Sequence, residues 1–156
     1  MTLDTATMIL RLAGALAVGA ILGVDRRIRE RPAGVRTLSL VSVGAALVVM
    51  THLQLAPGKP EDVSRVLQGV ITGIGFLGAG VIMRREREKS VEGLTTAASI
   101  WVAAALGAAC GAGLAVLALS AFLAAILVLV AGGPFEQALH RIFRDSASER
   151  SDRDER

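Results

Sequence analysis

The sequence predicts an all-α membrane protein, a polytopic bundle of about five transmembrane helices. Of its 156 residues, 53% are hydrophobic, and the mean hydropathy is +0.56. These residues are collected in long uncharged runs, which a soluble domain of similar apolar content does not show. Arginines lie in short blocks between the runs, as they do in the loops of membrane proteins.

The first two runs predict a pair of spans near the N-terminus. The first span covers Met8–Val24 and contains Arg11. This arginine either reaches the membrane face with its long side chain or makes an ion pair or a solute contact within the membrane. The second span covers Thr37–Leu55. Glycines of the first span predict a close-packing face: Gly14, Gly19 and Gly23. Three hydroxyl side chains of the second span can bond to the backbone or to a neighbouring helix: Ser39, Ser42 and Thr51.

The third run, Val66–Met83, is the predicted centre of the bundle. Its 18 uncharged residues would form a helix of about 27 Å, close to the ~30 Å of a bilayer core. Its five glycines would each cost up to ~1 kcal/mol in a soluble helix, but they let membrane helices approach closely. The alternative is that they open a break or a narrow pathway. The predicted packing residues are Gly73, Gly75, Gly78 and Gly80.

Three of these glycines also match the dinucleotide-binding pattern GxGxxG: Gly73, Gly75 and Gly78. That pattern requires a βαβ unit, whereas here it falls in the middle of a membrane span. The net charge of +3 and the pI near 10 could suggest nucleic acid, but no aromatic residues interleave with the arginines. We therefore expect no nucleotide cofactor and no nucleic-acid partner.

The longest uncharged run, Gly93–Phe135, predicts the last two spans. Its 43 residues are too many for one membrane helix and suit two spans of ~20 residues. We place these spans at Thr95–Cys110 and Leu114–Ala131. The expected turn between them lies at Gly111 and Gly113.

The distribution of charge predicts the domains and the topology. Residues 1–135 form the expected transmembrane domain, and residues 136–156 form a charged, partly disordered tail. Loops 25–36 and 84–92 and the tail hold 14 basic residues, whereas loop 56–65 holds two. The positive-inside rule places the basic segments in the cytoplasm. The N-terminus is then outside and the C-terminus is cytoplasmic.

Polar residues collect at the predicted cytoplasmic end. Asp25 ends the first span and Arg36 precedes the second, so we predict that they form a charge cluster, with Arg26 as the competing partner of the carboxylate. The alternative is that these charges only set the topology. Hydroxyl side chains at the start of the fourth span can bond across helices or contact a solute. The candidate functional cluster is Asp25, Arg26, Arg36, Thr37, Thr95, Thr96 and Ser99.

No grouping of residues predicts catalysis. His52 and His140 are isolated, and the one cysteine, Cys110, excludes an intrachain disulfide and a multi-cysteine metal site. No serine, histidine and acid are placed together for nucleophilic chemistry. We expect a protein that is not an enzyme and has no metal site and no cofactor.

Four blocks of sequence, taken together, resemble one family. They are Gly23-Val-Asp25-Arg26, Pro32-Ala-Gly34-Val-Arg36-Thr37, Gly73-Ile-Gly75-Phe-Leu-Gly78-Ala-Gly80 and Gly93-Leu-Thr95-Thr96-Ala-Ala-Ser99-Ile-Trp101. In this order and spacing they are similar to the MgtC/SapB family of bacterial inner-membrane proteins, over roughly Met8–Val130. Members often have Glu at the position of Asp25, and virulence-associated members commonly have Cys at the position of Val102. Among them, the chain resembles the short members that lack a C-terminal soluble domain.

The resemblance implies an inner-membrane protein with an accessory or regulatory role in magnesium or envelope-stress homeostasis. It would act by helix–helix contact, as a homo-oligomer or with another membrane protein in the lipid bilayer. ATP synthase is a partner that the resemblance alone suggests. The rival hypothesis is a small ion or solute channel, with the charged residues of the candidate cluster at its mouth and the hydroxyl residues along its path.

Overall fold

The structure, a computed structural model, describes residues 3–56, 60–85 and 90–133. The tail predicted for residues 136–156 and His140 lie outside the described residues. Residues 3–122 belong to one compact unit, and residues 123–133 belong to a second. The described chain has five helices, each long and apolar enough to cross a membrane. They are α1 (Thr5–Ile28), α2 (Val35–Leu55), α3 (Pro60–Val81), α4 (Leu94–Ala112) and α5 (Ala115–Gly133).

The predicted fold class is confirmed, since the chain is an all-α, multi-pass membrane protein. The helix ends lie within four residues of the predicted spans, except for the start of α3 at Pro60. Proline suits the first position of a helix because its missing N–H would have no partner there. The charged residues that follow it occupy the first turns of α3, so the helix extends beyond its apolar part. The helix is continuous from Pro60 to Val81, so the glycines do not break it.

A short β-hairpin replaces the predicted charged loop between α3 and α4. Strand β1 (Met83–Arg85) pairs antiparallel with β2 (Ser90–Glu92), with Arg84 opposite Val91. Gly93 then leads into α4 with φ of +91°, and a Cβ added there would collide with the Val81 carbonyl. Glycine suits this position because it has no Cβ and adopts positive φ freely.

Helix α1 ends in a Schellman motif, although its left-handed residue is not glycine. The Arg31 amide donates to the Arg26 carbonyl at 2.9 Å, and the Glu30 amide donates to the Arg27 carbonyl at 3.2 Å. Glu30 has φ of +53°, in a region that costs an L-residue roughly 1–2 kcal/mol. Ala33, in the same loop, also has positive φ. The turn that separates α1 from α2 therefore contains local backbone strain.

Replacing Glu30 with glycine is expected to stabilise the protein by about 0.5–1 kcal/mol, because glycine adopts the left-handed conformation without the Cβ penalty. The free energy of unfolding in detergent micelles measures the effect. Glu30→Ala is the matched control, since it removes the same charge and keeps the Cβ. An equal gain in both variants would show that charge, rather than backbone conformation, is responsible.

Glycine pairs four residues apart hold α2 against its two main neighbours. On the α1 side, a Cβ added at Gly19 would stand 2.6 Å from the Leu38 carbonyl oxygen, and one at Gly23 would strike the backbone of Val35. The close-packing face predicted for the first span is confirmed at these two glycines. Gly14 is in looser contact, since its added Cβ would be 3.8 Å from the Cys110 sulfur.

The contact between α2 and α4 uses a second pair, Gly107 and Gly111. An added Cβ at Gly107 would stand 2.6 Å from the Ser42 carbonyl carbon, and one at Gly111 would stand 2.5 Å from the Ala46 carbonyl oxygen. Sequence reasoning treated Gly111 only as a turn residue and overlooked Gly107. The turn itself is at Gly113, with φ of +80°, as predicted.

The prediction that α3 is the central helix is wrong. In α4, 56% of the apolar span is buried, whereas in α3 only 6% of it is buried. Helix α3 packs on α4, where Gly78 lies near Ala97, and makes a smaller contact with α2. No atom of the described chain beyond their own helix lies within 4 Å of a Cβ added at Gly73, Gly75 or Gly80. Among the described residues, no other helix packs closely against these three glycines.

Arg11 caps the C-terminus of α4 instead of extending away from the bundle. Its Nη1 donates to the Gly111 carbonyl at 2.8 Å, and its guanidinium lies against Gly113. The last carbonyls of a helix have no partner within it, and a cation is favourable at that end. Nearby, the Gln54 side-chain amide exchanges two hydrogen bonds with the Leu3 backbone. Both interactions lie at the end of the bundle opposite the β-hairpin.

Candidate functional site

Two of the seven polar residues predicted at one end of the bundle form a buried interaction. Arg26, in the last turn of α1, is 3% exposed, and Thr96, in the first turn of α4, is 2% exposed. The Arg26 Nη2 donates to the Thr96 Oγ1 at 2.7 Å. These residues are 70 positions apart in sequence, so this bond joins the end of α1 to the start of α4.

The Arg26 guanidinium is only partly satisfied. Its Nε is buried and has no hydrogen-bond partner among the residues that the structure describes. A cation is favourable at the C-terminal end of its own helix and unfavourable beside the N-terminus of α4. These two effects oppose each other, so the bond to Thr96 and the adjacent Asp25 carboxylate are the interactions that offset the cost of burying the charge.

The predicted ion pair between Asp25 and Arg36 is wrong. The Asp25 Oδ1 pairs with the Arg29 Nε at 2.9 Å, one helical turn away on α1. The spacing i, i+4 places these two side chains on the same helix face, and this signal was present in the sequence. The Asp25 Oδ2 is buried and, within the described part of the chain, accepts no hydrogen bond.

The other members of the predicted cluster are divided between the core and the surface. Ser99 is 4% exposed, and its hydroxyl donates to the Thr95 carbonyl at 2.7 Å, within its own helix. The side chains of Arg36, Thr37 and Thr95 are exposed. Of the seven predicted residues, the structure brings Arg26 and Thr96 into direct contact. It pairs Asp25 with Arg29, which is outside the predicted cluster.

Two serines of α2 contribute buried polar groups below this end of the bundle. The Ser42 hydroxyl, fully buried, donates to the Ala15 carbonyl at 2.7 Å and so joins α2 to α1, as the hydroxyl pattern predicted. The Ser39 hydroxyl is buried and has no partner among the described residues. Thr51 bonds to the Leu47 carbonyl of its own helix.

What distinguishes this end of the bundle is the position of its charged side chains. The described residues contain no group of three or more histidine, cysteine or acidic side chains that could hold a metal ion. Arg26 and Asp25 bring one buried donor and one buried acceptor to the membrane boundary. The β-hairpin and the turn after α1 lie at the same end, because the Arg26–Thr96 bond joins α1 to the start of α4. We call the end that carries the β-hairpin, the turn after α1 and Arg26 the basic end of the bundle.

Two cavities adjoin α3, and apolar residues line both. One, of about 310 Å³, lies between α3, α4 and the start of α5, and the other, of about 370 Å³, lies between α2 and α3. Leu, Ile, Val and Ala dominate both linings, with Trp101 in the first and glycines in the second. Neither cavity includes a residue of the predicted functional cluster.

Comparison with known proteins places the chain in a family. A model of the MgtC family matches residues 12–138. Protein SrpB of Synechococcus elongatus is 48% identical over 115 residues, which cover 67% of this chain and 63% of SrpB. Protein MgtC of Salmonella typhimurium is 41% identical over 134 residues, covering 86% of this chain and 54% of that protein.

A third relative, Protein MgtC of Brucella abortus, is 47% identical over 104 residues, covering 66% of this chain and 42% of that protein. The chain thus spans about half the length of the curated relatives it matches. No solved structure matches it. The family match covers α2, α3, α4 and α5 completely and most of α1, and with these relatives it shows that the chain belongs to the MgtC family of membrane proteins.

Proposed function

We propose that this chain is a non-catalytic protein of the bacterial inner membrane that acts by helix–helix contact with a second copy or with another membrane protein. Membership of the MgtC family supports a role in magnesium or envelope-stress homeostasis. The basic end faces the cytoplasm in this proposal, as the positive-inside rule requires.

One observation carries the proposal: the chain has a glycine pair that no helix of its described part covers. Glycines four residues apart are a common contact of membrane helices, because they let two backbones touch. Two such pairs, Gly19 with Gly23 and Gly107 with Gly111, are buried against α2. The third, Gly69 with Gly73 on α3, is exposed, and nothing in the described chain beyond α3 itself lies within 4 Å of an added Cβ.

Helical geometry extends this pair into a surface. At 3.6 residues per turn, Gly80 follows the pair on the same side of α3, and Phe76, 84% exposed, lies between them. We call this surface the glycine face. It borders the groove between α2 and α3, to which Gly44 and Leu40 of α2 also contribute. The small residues of this face allow a partner helix to approach closely.

The apolar cavities support this function over the passage of an ion. A charged side chain or ion within the membrane needs polar partners, and the linings of both cavities supply hydrocarbon. Arg26, which the channel hypothesis placed at the mouth, and Thr96, which it placed along the path, are buried against each other. ATP synthase, which only the family resemblance suggested as a partner, is one candidate for the glycine face.

Replacing Gly73 with leucine is expected to leave the isolated protein folded and to abolish both its association in membranes and its function. Leucine would hold a partner backbone away from the glycine face, while its Cβ meets no described atom beyond α3 within 4 Å and the rest of the side chain can enter the open groove beside α2. Association is measured by energy transfer between labelled copies and by co-purification of partners. Function is measured as growth in low magnesium of a strain that lacks the protein.

Gly75→Leu is the matched control, because Gly75 is equally open but lies about 160° around α3 from Gly73. It should retain both association and function. Normal association and growth with Gly73→Leu would contradict the proposal. Equal loss in both variants would place the contact surface elsewhere on α3.

A further inference from the structure

We infer that the cavity between α3, α4 and the start of α5 binds one acyl chain of a membrane phospholipid. This inference is independent of the proposed function, since no residue of the glycine face lines the cavity. Its α3 wall is a stripe of Val, Leu and Ile side chains that ends at Ile74, its α4 wall runs from Trp101 to Ala112, and Val49 of α2 also lines it.

The lining excludes water as the occupant. All the side chains that form it are apolar, whereas a stable buried water needs two to four polar partners. The volume of about 310 Å³ is about twice that of the engineered apolar cavity of ~150 Å³ that stays dry and takes up benzene. Hydrocarbon is therefore the chemical class that the cavity accepts.

The dimensions of the cavity suit a single extended hydrocarbon chain. From Val63 to Ile74 on α3, and from Trp101 to Ala112 on α4, each wall is about 17 Å long at 1.5 Å per residue. A partner helix of that length, about 10–12 Å in diameter, would occupy several times the cavity volume of about 310 Å³.

The position of the cavity identifies the leaflet. It extends from the middle of the bundle towards Val63 and Ala112, at the end opposite the basic end. Its length of about 17 Å is close to half of a bilayer core of ~30 Å, which is the depth of one leaflet. The acyl chain therefore comes from a phospholipid of the leaflet opposite the basic end.

Access to the cavity is lateral. Ile71, Trp101 and Leu117 contribute to its lining and are each about half exposed, at 51%, 48% and 57%. A chain can therefore enter from the surrounding bilayer without unfolding the bundle. The side of α4 that lines the cavity carries small alanine side chains, which leave this space open. The side of α4 that faces α2 carries glycines, which allow close packing there.

Trp101 provides the test, because it is the one tryptophan of the chain and it lines the cavity. The purified protein in detergent is titrated with a phospholipid whose acyl chains are brominated and quench tryptophan fluorescence. We expect quenching that saturates at one lipid per chain, and native mass spectrometry should show one retained phospholipid. Quenching that rises without saturation would show only loosely associated lipid and would overturn the inference.

Variants that fill the cavity provide a second test of the inference. Ala105→Leu and Ala108→Leu place a larger side chain in the α4 wall, and each should weaken the apparent affinity for the brominated lipid by at least about tenfold. Ala98→Leu, one turn from Trp101 and outside the lining, should keep the affinity of the parent. Ala105 is exposed, so that variant should fold even if Ala108→Leu does not. Unchanged affinity in a folded Ala105→Leu protein would contradict the assigned position.

Discussion

Replacing Gly107 with alanine is expected to destabilise the protein by about 3 kcal/mol or more. The added Cβ would overlap the carbonyl group of Ser42, and a backbone cannot move aside as the end of a flexible side chain can. Overpacking of this kind costs typically 1–3 kcal/mol and sometimes more. The contact lies between α2 and α4, and α4 is the most buried helix of the described chain, so little of the surrounding structure can relax.

The control for this prediction is the same substitution at an open glycine. Gly73→Ala on α3 meets no atom beyond its own helix within 4 Å, and alanine favours a helix over glycine by up to ~1 kcal/mol. That variant should therefore be as stable as the parent or slightly more stable. Reversible unfolding in mixed micelles, followed by helicity, measures both. Equal stability of the two variants would mean that α2 and α4 do not pack at Gly107.

Replacing Thr96 with valine is expected to lower the free energy of unfolding by about 3 kcal/mol. Valine has nearly the same shape, so the change removes the hydroxyl and leaves the buried Arg26 guanidinium without the partner that the structure shows. An unsatisfied buried donor costs about 1–3 kcal/mol, and more when it carries a charge. Arg26→Met should cost less, because it removes the buried charge together with the bond.

Thr95→Val is the matched control for the hydroxyl. Thr95 is adjacent in sequence and has the same chemistry, but its side chain is exposed. It should change stability by less than about 0.5 kcal/mol, as is usual for surface substitutions. If both valine variants lose the same stability, then helix propensity, and not the bond to Arg26, explains the loss.

The sequence was sufficient to predict the helices, because apolar runs and charged boundaries report directly on spans in a membrane. It did not determine which glycines pack. Gly19, Gly23, Gly107 and Gly111 meet a backbone, whereas the glycine-rich α3 leaves most of its glycines open. Glycine allows close approach but does not require it, so the number of glycines in a helix does not show whether that helix is central. Two of the three glycine pairs spaced four residues apart pack against α2, whereas the third, Gly69 with Gly73, is open, so the spacing does not decide the packing either.

One contact of the candidate site was predictable from the sequence, and the other was not. The partner of Asp25 was predictable from the spacing to Arg29 within one helix. The bond between Arg26 and Thr96 was not, because 70 residues separate them and only the packing of α1 against α4 brings them together. Sequence reasoning placed both residues in one cluster, but it could not distinguish a buried pair from the mouth of a channel.

A double-mutant cycle on Arg26→Met and Thr96→Val tests most directly the central claim that this bond joins the end of α1 to the start of α4. Unfolding free energies of the parent, both single variants and the double variant give the coupling energy between the two side chains. The account predicts a coupling of about 1.5–3 kcal/mol, the range for a buried hydrogen bond to a charged group, so that the double variant is more stable than Thr96→Val alone. Additive losses, with a coupling near zero, would show that the two side chains do not interact and would contradict the account.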